Sequence, residues 1–347
     1  MRTLFVLGTR PEGIKCLPVV FALEERGGET FVLSTRQHTE MLDEVFTLFG
    51  RGADLALPPL PEDRSLCELL SHILHHLPPV LARLSPDLVL VQGDTLSAFA
   101  GALSAFLLGI PVAHIEAGLR TGDVKNPFPE EAMRRMICPL STLHFAPTEA
   151  ARNHLLSEGC TEGVYLVGNT VADALTRFCP HSLHSSDEVL VTVHRRETLG
   201  ATQRDIFRAI SALAARHPEC HFLFPMHKSP AVREGAKEIL SPLPNLTLCE
   251  PLPIDVFYDR LAAARLVLTD SGGVTEEAAL LGIPTAILRD TTERESELAL
   301  PFVRLAGTRP RSILAVAEHL LSAFAPAPRL LHSSSPSARI AEILLSL

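Results

Sequence analysis

Short runs of consecutive apolar residues recur along the chain, at residues 4–7, 31–33, 88–91, 112–115, 189–193, 222–224, 266–268 and 285–288. Segments of helical length, with apolar positions three and four apart, separate them. A strand covered on both faces needs no alternation of polar and apolar residues, so this pattern predicts parallel sheets sandwiched between helices, the α/β class. In two places a strand runs into an aspartate, a polar turn and a helix with the same ending. Residues 88–94 lead to Leu107-Leu108-Gly109-Ile110-Pro111, and residues 266–270 lead to Leu280-Leu281-Gly282-Ile283-Pro284. Glycine at the end of a helix with proline soon after is a common stop signal. The two copies lie about half the chain apart, which predicts two Rossmann-like domains facing a cleft. The expected division is residues 1–180 and 181–347, with the seam in the polar stretch 178–186. Residues 338–347 read as an amphipathic helix that can lie back across either domain.

The chain has 347 residues, a length that suits two domains better than one. With 46% hydrophobic and 20% charged residues it has the material for large cores. Its net charge of -9 and lack of any long basic run argue against a nucleic-acid partner. Its apolar stretches fall well short of the roughly 20 residues that span a bilayer, so no membrane partner is expected. The first residues read as a buried strand without a cleavage-site pattern, and the expected location is cytoplasmic. Seven cysteines without C-x-x-C spacing predict neither disulfides nor a structural zinc, and Cys16 and Cys138 read as small buried residues.

Open parallel sheets bind ligands beyond the carboxyl ends of their strands, so the loops there carry the candidate chemistry. The loop Gly8-Thr9-Arg10-Pro11-Glu12-Gly13-Ile14-Lys15 offers a tight turn, a proline suited to a first helical turn, and two cations, Arg10 and Lys15. Asp270-Ser271-Gly272-Gly273 followed by Glu277 pairs an N-capping serine with two glycines whose N–H groups can approach a phosphate. Neither loop is a G-x-G-x-x-G or Walker A sequence, which removes the main support for a dehydrogenase or a kinase. Asp94, Glu116 and Glu130 stand in three separate loops. Brought together, they would raise at least one carboxyl pKa towards neutrality through repulsion and burial. His194, with Arg195 and Arg196, adds an imidazole and two cations. His72, His75 and His76 have helical spacing but no acidic or cysteine partner follows nearby, and they read as a partly exposed helix face.

Taken in order, the first loop, Gln37-His38, Gly93-Asp94-Thr95, residues 114–122, Pro129-Glu130-Glu131, Gly168-Asn169-Thr170, His194-Arg195-Arg196-Glu197, Asp270-Ser271-Gly272-Gly273 and residues 289–294 resemble the UDP-N-acetylglucosamine 2-epimerase family over nearly the whole chain. The resemblance implies a glycosyltransferase-B-type fold with UDP in the cleft, no metal and no nicotinamide or other cofactor. It implies interconversion of UDP-N-acetylglucosamine and UDP-N-acetylmannosamine. It casts Asp94, Glu116, Glu130 and His194 as catalytic, and Arg10, Lys15, Gln37, His38, Arg134, His227, Ser271, Gly272, Gly273, Glu277 and Arg294 as substrate-binding. A homodimer is the expected assembly, two-fold pairs being the commonest. Met133, Ser229 and Glu295 depart from residues common in the family. The alternatives are a hydrolysing epimerase that releases N-acetylmannosamine and UDP, and a glycosyltransferase using the same nucleotide site.

Overall fold

The computed structural model describes residues 1–61, 63–179, 186–194, 200–227, 229–240, 243–292, 295–326 and 335–347. All eight apolar runs are strands. In chain order the first sheet and its helices are β1 (Arg2–Leu7), α1 (Arg10–Glu24), β2 (Glu29–Ser34), α2 (Thr39–Phe49), β3 (Leu55–Ala56), α3 (Leu66–Leu84), β4 (Leu88–Gln92), α4 (Leu96–Leu107), β5 (Val112–Ile115), α5 (Glu130–Ile137), β6 (Leu143–Ala146), α6 (Glu149–Ser157), β7 (Val164–Leu166) and α7 (Val171–Phe178). Its strands are parallel in the order β3-β2-β1-β4-β5-β6-β7. The second sheet follows with β8 (Glu188–Thr192), α8 (Ala201–Arg216), β9 (His221–Pro225), α9 (Pro230–Leu240), β10 (Leu246–Cys249), α10 (Ile254–Ala263), β11 (Leu266–Thr269), α11 (Gly272–Leu280), β12 (Thr285–Ile287), α12 (Glu295–Leu298), β13 (Val303–Leu305) and α13 (Pro310–Ala323). It is also parallel, in the order β10-β9-β8-β11-β12-β13. The final helix is α14 (Pro336–Leu345).

The chain divides into two compact units, Met1–Ala174 with His332–Leu347, and Leu175–Leu331. The first division falls inside α7. Helix α14 belongs to the first unit: it packs on α1, buries Ile340, Ala341 and Leu344, and its Ser337 N–H donates to Asp173 Oδ2 at 2.9 Å. In each unit the central strands are buried on both faces, which is why their sequences are unbroken apolar runs. Leu4, Val6, Val89 and Val91 pack with Ile73, Leu77 and Leu81 of α3, while Val189, Val191 and Leu268 pack with Phe207, Phe222 and Phe224. Burying one such side chain contributes roughly 1.5–3 kcal/mol, so these two clusters dominate the stability of each unit.

The shared helix endings are the same device used twice. Gly109 and Gly282 adopt left-handed φ of 69° and 74°. The N–H groups of Ile110 and Ile283 reach back to the carbonyls of Ala105 and Ala278, and those of Gly109 and Gly282 to Phe106 and Ala279. Each is a Schellman cap that turns the chain into the next strand, β5 or β12. Gly8 does a different job at the end of β1, where a Cβ would lie 2.0 Å from Ser97 Oγ and 2.4 Å from Thr35 Oγ1. Only glycine lets the chain leave the sheet there. No helix among the described residues is long and apolar enough to cross a membrane.

Candidate functional site

In both sheets the strand order reverses beside the first strand, between β1 and β4 and between β8 and β11. Loops diverge at such a point and leave room for a ligand beyond the strand ends. In the first unit the loop after β1 is held by Glu12, whose Oε2 accepts the N–H groups of Gly8 at 2.8 Å and Thr9 at 2.6 Å. Its Oε1 accepts the Thr95 hydroxyl at 2.6 Å, which ties this loop to the one after β4. Burial pushes the Glu12 carboxyl up to about 7, against the opposing pull of those donors. Glu12 thus adds a carboxyl near neutrality to the acids that the sequence singles out, Asp94, Glu116 and Glu130.

Lys15, one turn further along α1, reaches the end of β5, where its Nζ lies 2.5 Å from Glu116 Oε2. The two side chains are only 6% and 8% exposed. The Gln92 side-chain amide donates to the same oxygen. Glu116 has a φ of 65°, a left-handed conformation that costs a non-glycine residue on the order of 1–3 kcal/mol and persists only where surroundings over-determine it. Lys15 and Gln92 supply that constraint. Within this strand His114 donates its Nε2 hydrogen to the Gly93 carbonyl at 2.7 Å, and burial holds its pKa down to about 4. It is therefore a neutral imidazole, with the tautomer fixed by an acceptor-only partner.

Asp94 is paired with Arg134, whose Nε donates to Asp94 Oδ2 at 3.0 Å and whose Nη2 contacts the same oxygen. Arg134 is in turn anchored by Glu131 at 3.2 Å. Glu131 is wholly buried and also accepts from Thr121 N at 3.1 Å and Arg135 Nε at 2.8 Å. Glu130 opens α5 next to this anchor and is half-buried. Gln37 is turned to the start of α4, where its Oε1 accepts from Ser97 N at 3.2 Å and Ser97 Oγ at 2.7 Å. His38 is exposed at the start of α2, and Arg10 is half-buried at the start of α1.

The second unit repeats the arrangement with different chemistry. His194 follows β8, and its N–H is shared between both carboxylate oxygens of Asp270, at 3.1 and 3.0 Å. Its ring Nδ1 lies 3.6 Å from Asp270 Oδ1, and the ring stacks on that of His227 at 5.6 Å between centroids. Asp270 itself is wholly buried at the end of β11. Ser271 caps α11, accepting the Val274 N–H at 3.5 Å, and Gly272 and Gly273 form the first turn. The N–H groups of a first helical turn have no intrahelical partner, and with the helix dipole they favour an anion. Glu277, one turn on, accepts the Tyr258 hydroxyl at 3.1 Å. Arg294 and residues 195–197 lie outside the described residues.

The structure thus joins Lys15 to Glu116, Arg134 to Asp94, and His194 to His227. Sequence reasoning gave no separate role to Glu12, Gln92, Glu131, Asp270 and Tyr258, which hold the candidate residues in place, although Glu12 stood inside the first loop. Asp270 and Glu131 stood inside the motifs already singled out, adjacent to Ser271 and Glu130. Gln92 and Tyr258 carried no signal, because each acts through a partner distant in sequence.

A family model for UDP-N-acetylglucosamine 2-epimerase matches residues 22–345. The chain is 41% identical over 332 residues to a UDP-N-acetylglucosamine 2-epimerase of Neisseria meningitidis, covering 90% of this chain and 89% of that one. It is 40% identical over 341 residues to the enzyme of the same name from Escherichia coli K12, with 92% and 90% covered. Among solved structures, UDP-GlcNAc 2-epimerase from Neisseria meningitidis bound to UDP-GlcNAc matches with a TM-score of 0.93 at 38% identity over all of both chains. The Methanocaldococcus jannaschii enzyme in complex with UDP-GlcNAc and UDP matches with a TM-score of 0.88 at 31% identity, again over all of both chains.

Proposed function

Because the chain belongs to the UDP-N-acetylglucosamine 2-epimerase family and is an enzyme of that activity, we propose that it inverts C2 by eliminating UDP and adding it back, without releasing free sugar. The hydrogen on C2 has no neighbouring carbonyl to acidify it, so direct removal is too slow. Loss of UDP from C1 as the C2 proton leaves gives a glycal-like intermediate. A proton then returns to the opposite face of C2, UDP adds back at C1, and the product is UDP-N-acetylmannosamine.

This scheme needs fixed donors for the departing diphosphate and positioned carboxylates for the proton. The observation that carries it is the buried Lys15–Glu116 pair on the strained end of β5. A carboxylate locked by a cation and an amide has little reorganisation left to do when a proton moves. Asp94, held by Arg134, is a second positioned acid, and Glu130 opens the helix that supplies that arginine. In this reading Asp94, Glu116 and Glu130 share the proton transfers. His194, Ser271, Gly272, Gly273 and Glu277 take the nucleotide, the capped start of α11 receiving the diphosphate. Arg10, Lys15, Gln37, His38, Arg134, His227 and Arg294 complete the substrate contacts. We also take the enzyme to be a homodimer, on the support of the contiguous exposed run Phe106, Leu107 and Leu108.

The test is incubation with UDP-N-acetylglucosamine in D2O, followed by NMR. The expected product is UDP-N-acetylmannosamine carrying deuterium at C2. Accumulation of free N-acetylmannosamine would move the enzyme to the hydrolysing class, and epimerisation without deuterium would end the elimination scheme. Glu116→Gln is expected to lose about 10²- to 10⁴-fold in turnover with its fold intact, the usual worth of a positioned proton-transfer group. Full turnover in that variant removes Glu116 from the mechanism.

A further inference from the structure

Three side chains that the proton chemistry above does not use form a group of their own. Cys138 ends α5 and is 5% exposed, Cys160 lies half-buried in the loop that leads into β7, and His144 lies within β6 at 3% exposed. The two sulfurs are 2.7 Å apart, and a ring nitrogen of His144 lies within 4.8 Å of both. Both cysteines are free thiols. They sit against the apolar side chains of Ala117, Ala146, Ala151 and Leu155. His144 Nδ1 is buried without a hydrogen-bond partner, an arrangement that is costly unless the nitrogen has a use. A tetrahedral zinc with Zn–S of about 2.3 Å would hold two sulfurs about 3.8 Å apart, so sulfurs in direct contact fit a bond to each other better than a shared metal.

We propose that Cys138 and Cys160 are a redox-active pair that closes to a reversible disulfide, with His144 taking the proton from Cys138. The oxidant is a low-molecular-weight disulfide, RSSR. The Cys160 thiolate attacks one sulfur of RSSR, whose S–S bond breaks, and RS⁻ leaves and takes up the proton that Cys160 gave to solvent. Cys138 then gives its proton to His144 and attacks Cys160 Sγ. The second RS⁻ leaves and is protonated in turn, so two protein thiols are oxidised as one RSSR is reduced to two RSH. The order follows from access, because Cys160 is half-exposed and Cys138 is not. Burial and the neighbouring sulfur push the Cys138 thiol up to about 12, so it needs a local proton acceptor. Burial lowers the His144 pKa against a backbone hydrogen bond at Ser141, so the ring is neutral and keeps one lone pair, and as a weak base it holds the proton only in passing. The closed bond ties the end of α5, the helix carrying Glu130 and Arg134, to the start of β7.

The test uses the full chain, reduced, desalted and treated with glutathione disulfide, then alkylated and mapped by mass spectrometry after trypsin. The expected result is one cross-linked pair joining the Cys138 and Cys160 peptides, with five of the seven cysteines still alkylated. It is reversed by dithiothreitol. Cys138→Ser should stop at a glutathione adduct on Cys160, Cys160→Ser should leave Cys138 unmodified, and His144→Gln should slow closure at least tenfold without changing its extent. Two independent adducts, or no reaction at either thiol in the wild-type protein, would overturn the proposal. So would a stoichiometric zinc that binds the reduced protein and is lost in Cys160→Ser. The wild-type map alone decides whether the pair closes, so that part of the test stands if a variant does not fold.

Discussion

Glu12 and His114 are buried in the same unit and exchange protons with solvent in opposite senses. Folding lowers the His114 pKa from 6.5 to about 4, so its contribution to stability is full above pH 6.5 and is lost as pH falls towards 4. Folding raises Glu12 from 4.5 to about 7, so its contribution is full below pH 4.5 and is lost as pH rises through 7. Between pH 4.5 and 6.5 the two slopes oppose each other. Replacing Glu12 with Gln removes one of them. The wild-type advantage over Glu12→Gln in urea unfolding is expected to shrink by up to about 3 kcal/mol between pH 5 and pH 8. A difference independent of pH would show that Glu12 does not titrate in this range. Such groups are invisible in a sequence because their behaviour comes from what packs on them. Asp94, Glu116 and Ser271 were legible as candidates, since each follows a strand or caps a helix. Their partners were not: Lys15 and Glu116 meet across 101 positions of chain, a separation no spacing rule covers.

At the scale of elements, α11 is the part on which structure and chemistry most directly compete. Its cap is a single serine hydroxyl at 3.5 Å, and its first two residues are glycines, which weaken a helix. Ser271→Ala should cost the second unit about 1 kcal/mol and Ser271→Gly only a few tenths, in thermal or denaturant unfolding. Both should weaken UDP binding, measured by calorimetry, if the hydroxyl also faces the diphosphate. A variant that loses stability but binds UDP normally would confine Ser271 to capping. The strands were read correctly where both faces are covered, and overlooked elsewhere. β3, β7, β10 and β13 are the outermost strands of their sheets, two to four residues long and partly exposed, so any apolar run in them is too short to stand out or, in β10 and β13, is broken by a polar residue. β6 is an exception, buried throughout yet overlooked, although His144 breaks its apolar run no more than His114 breaks that of β5.

Over the whole molecule, the two units repeat one strand order and one helix-to-strand cap, which is the physical content of the duplicated Leu-Leu-Gly-Ile-Pro ending. In the first unit Phe106, just before that ending, and Leu107 and Leu108 within it are exposed at 52%, 71% and 45%. Sedimentation equilibrium is expected to return about twice the chain mass of 37.7 kDa, with Leu107→Glu shifted towards one chain. A wild-type monomer at micromolar concentration would leave those side chains without the partner assigned to them. The proposed assembly has no signature in the sequence, since apolar residues at a helix end read the same whether they meet a core or a second subunit. Helix α14 has a consequence for biogenesis. A ribosome releases every residue of the second unit before it delivers the helix that covers α1, so the earlier-synthesised lobe is the later one to be finished. Until that moment α1 presents an uncovered apolar flank in the nascent polypeptide, which makes this the stage at which a chaperone has most to protect.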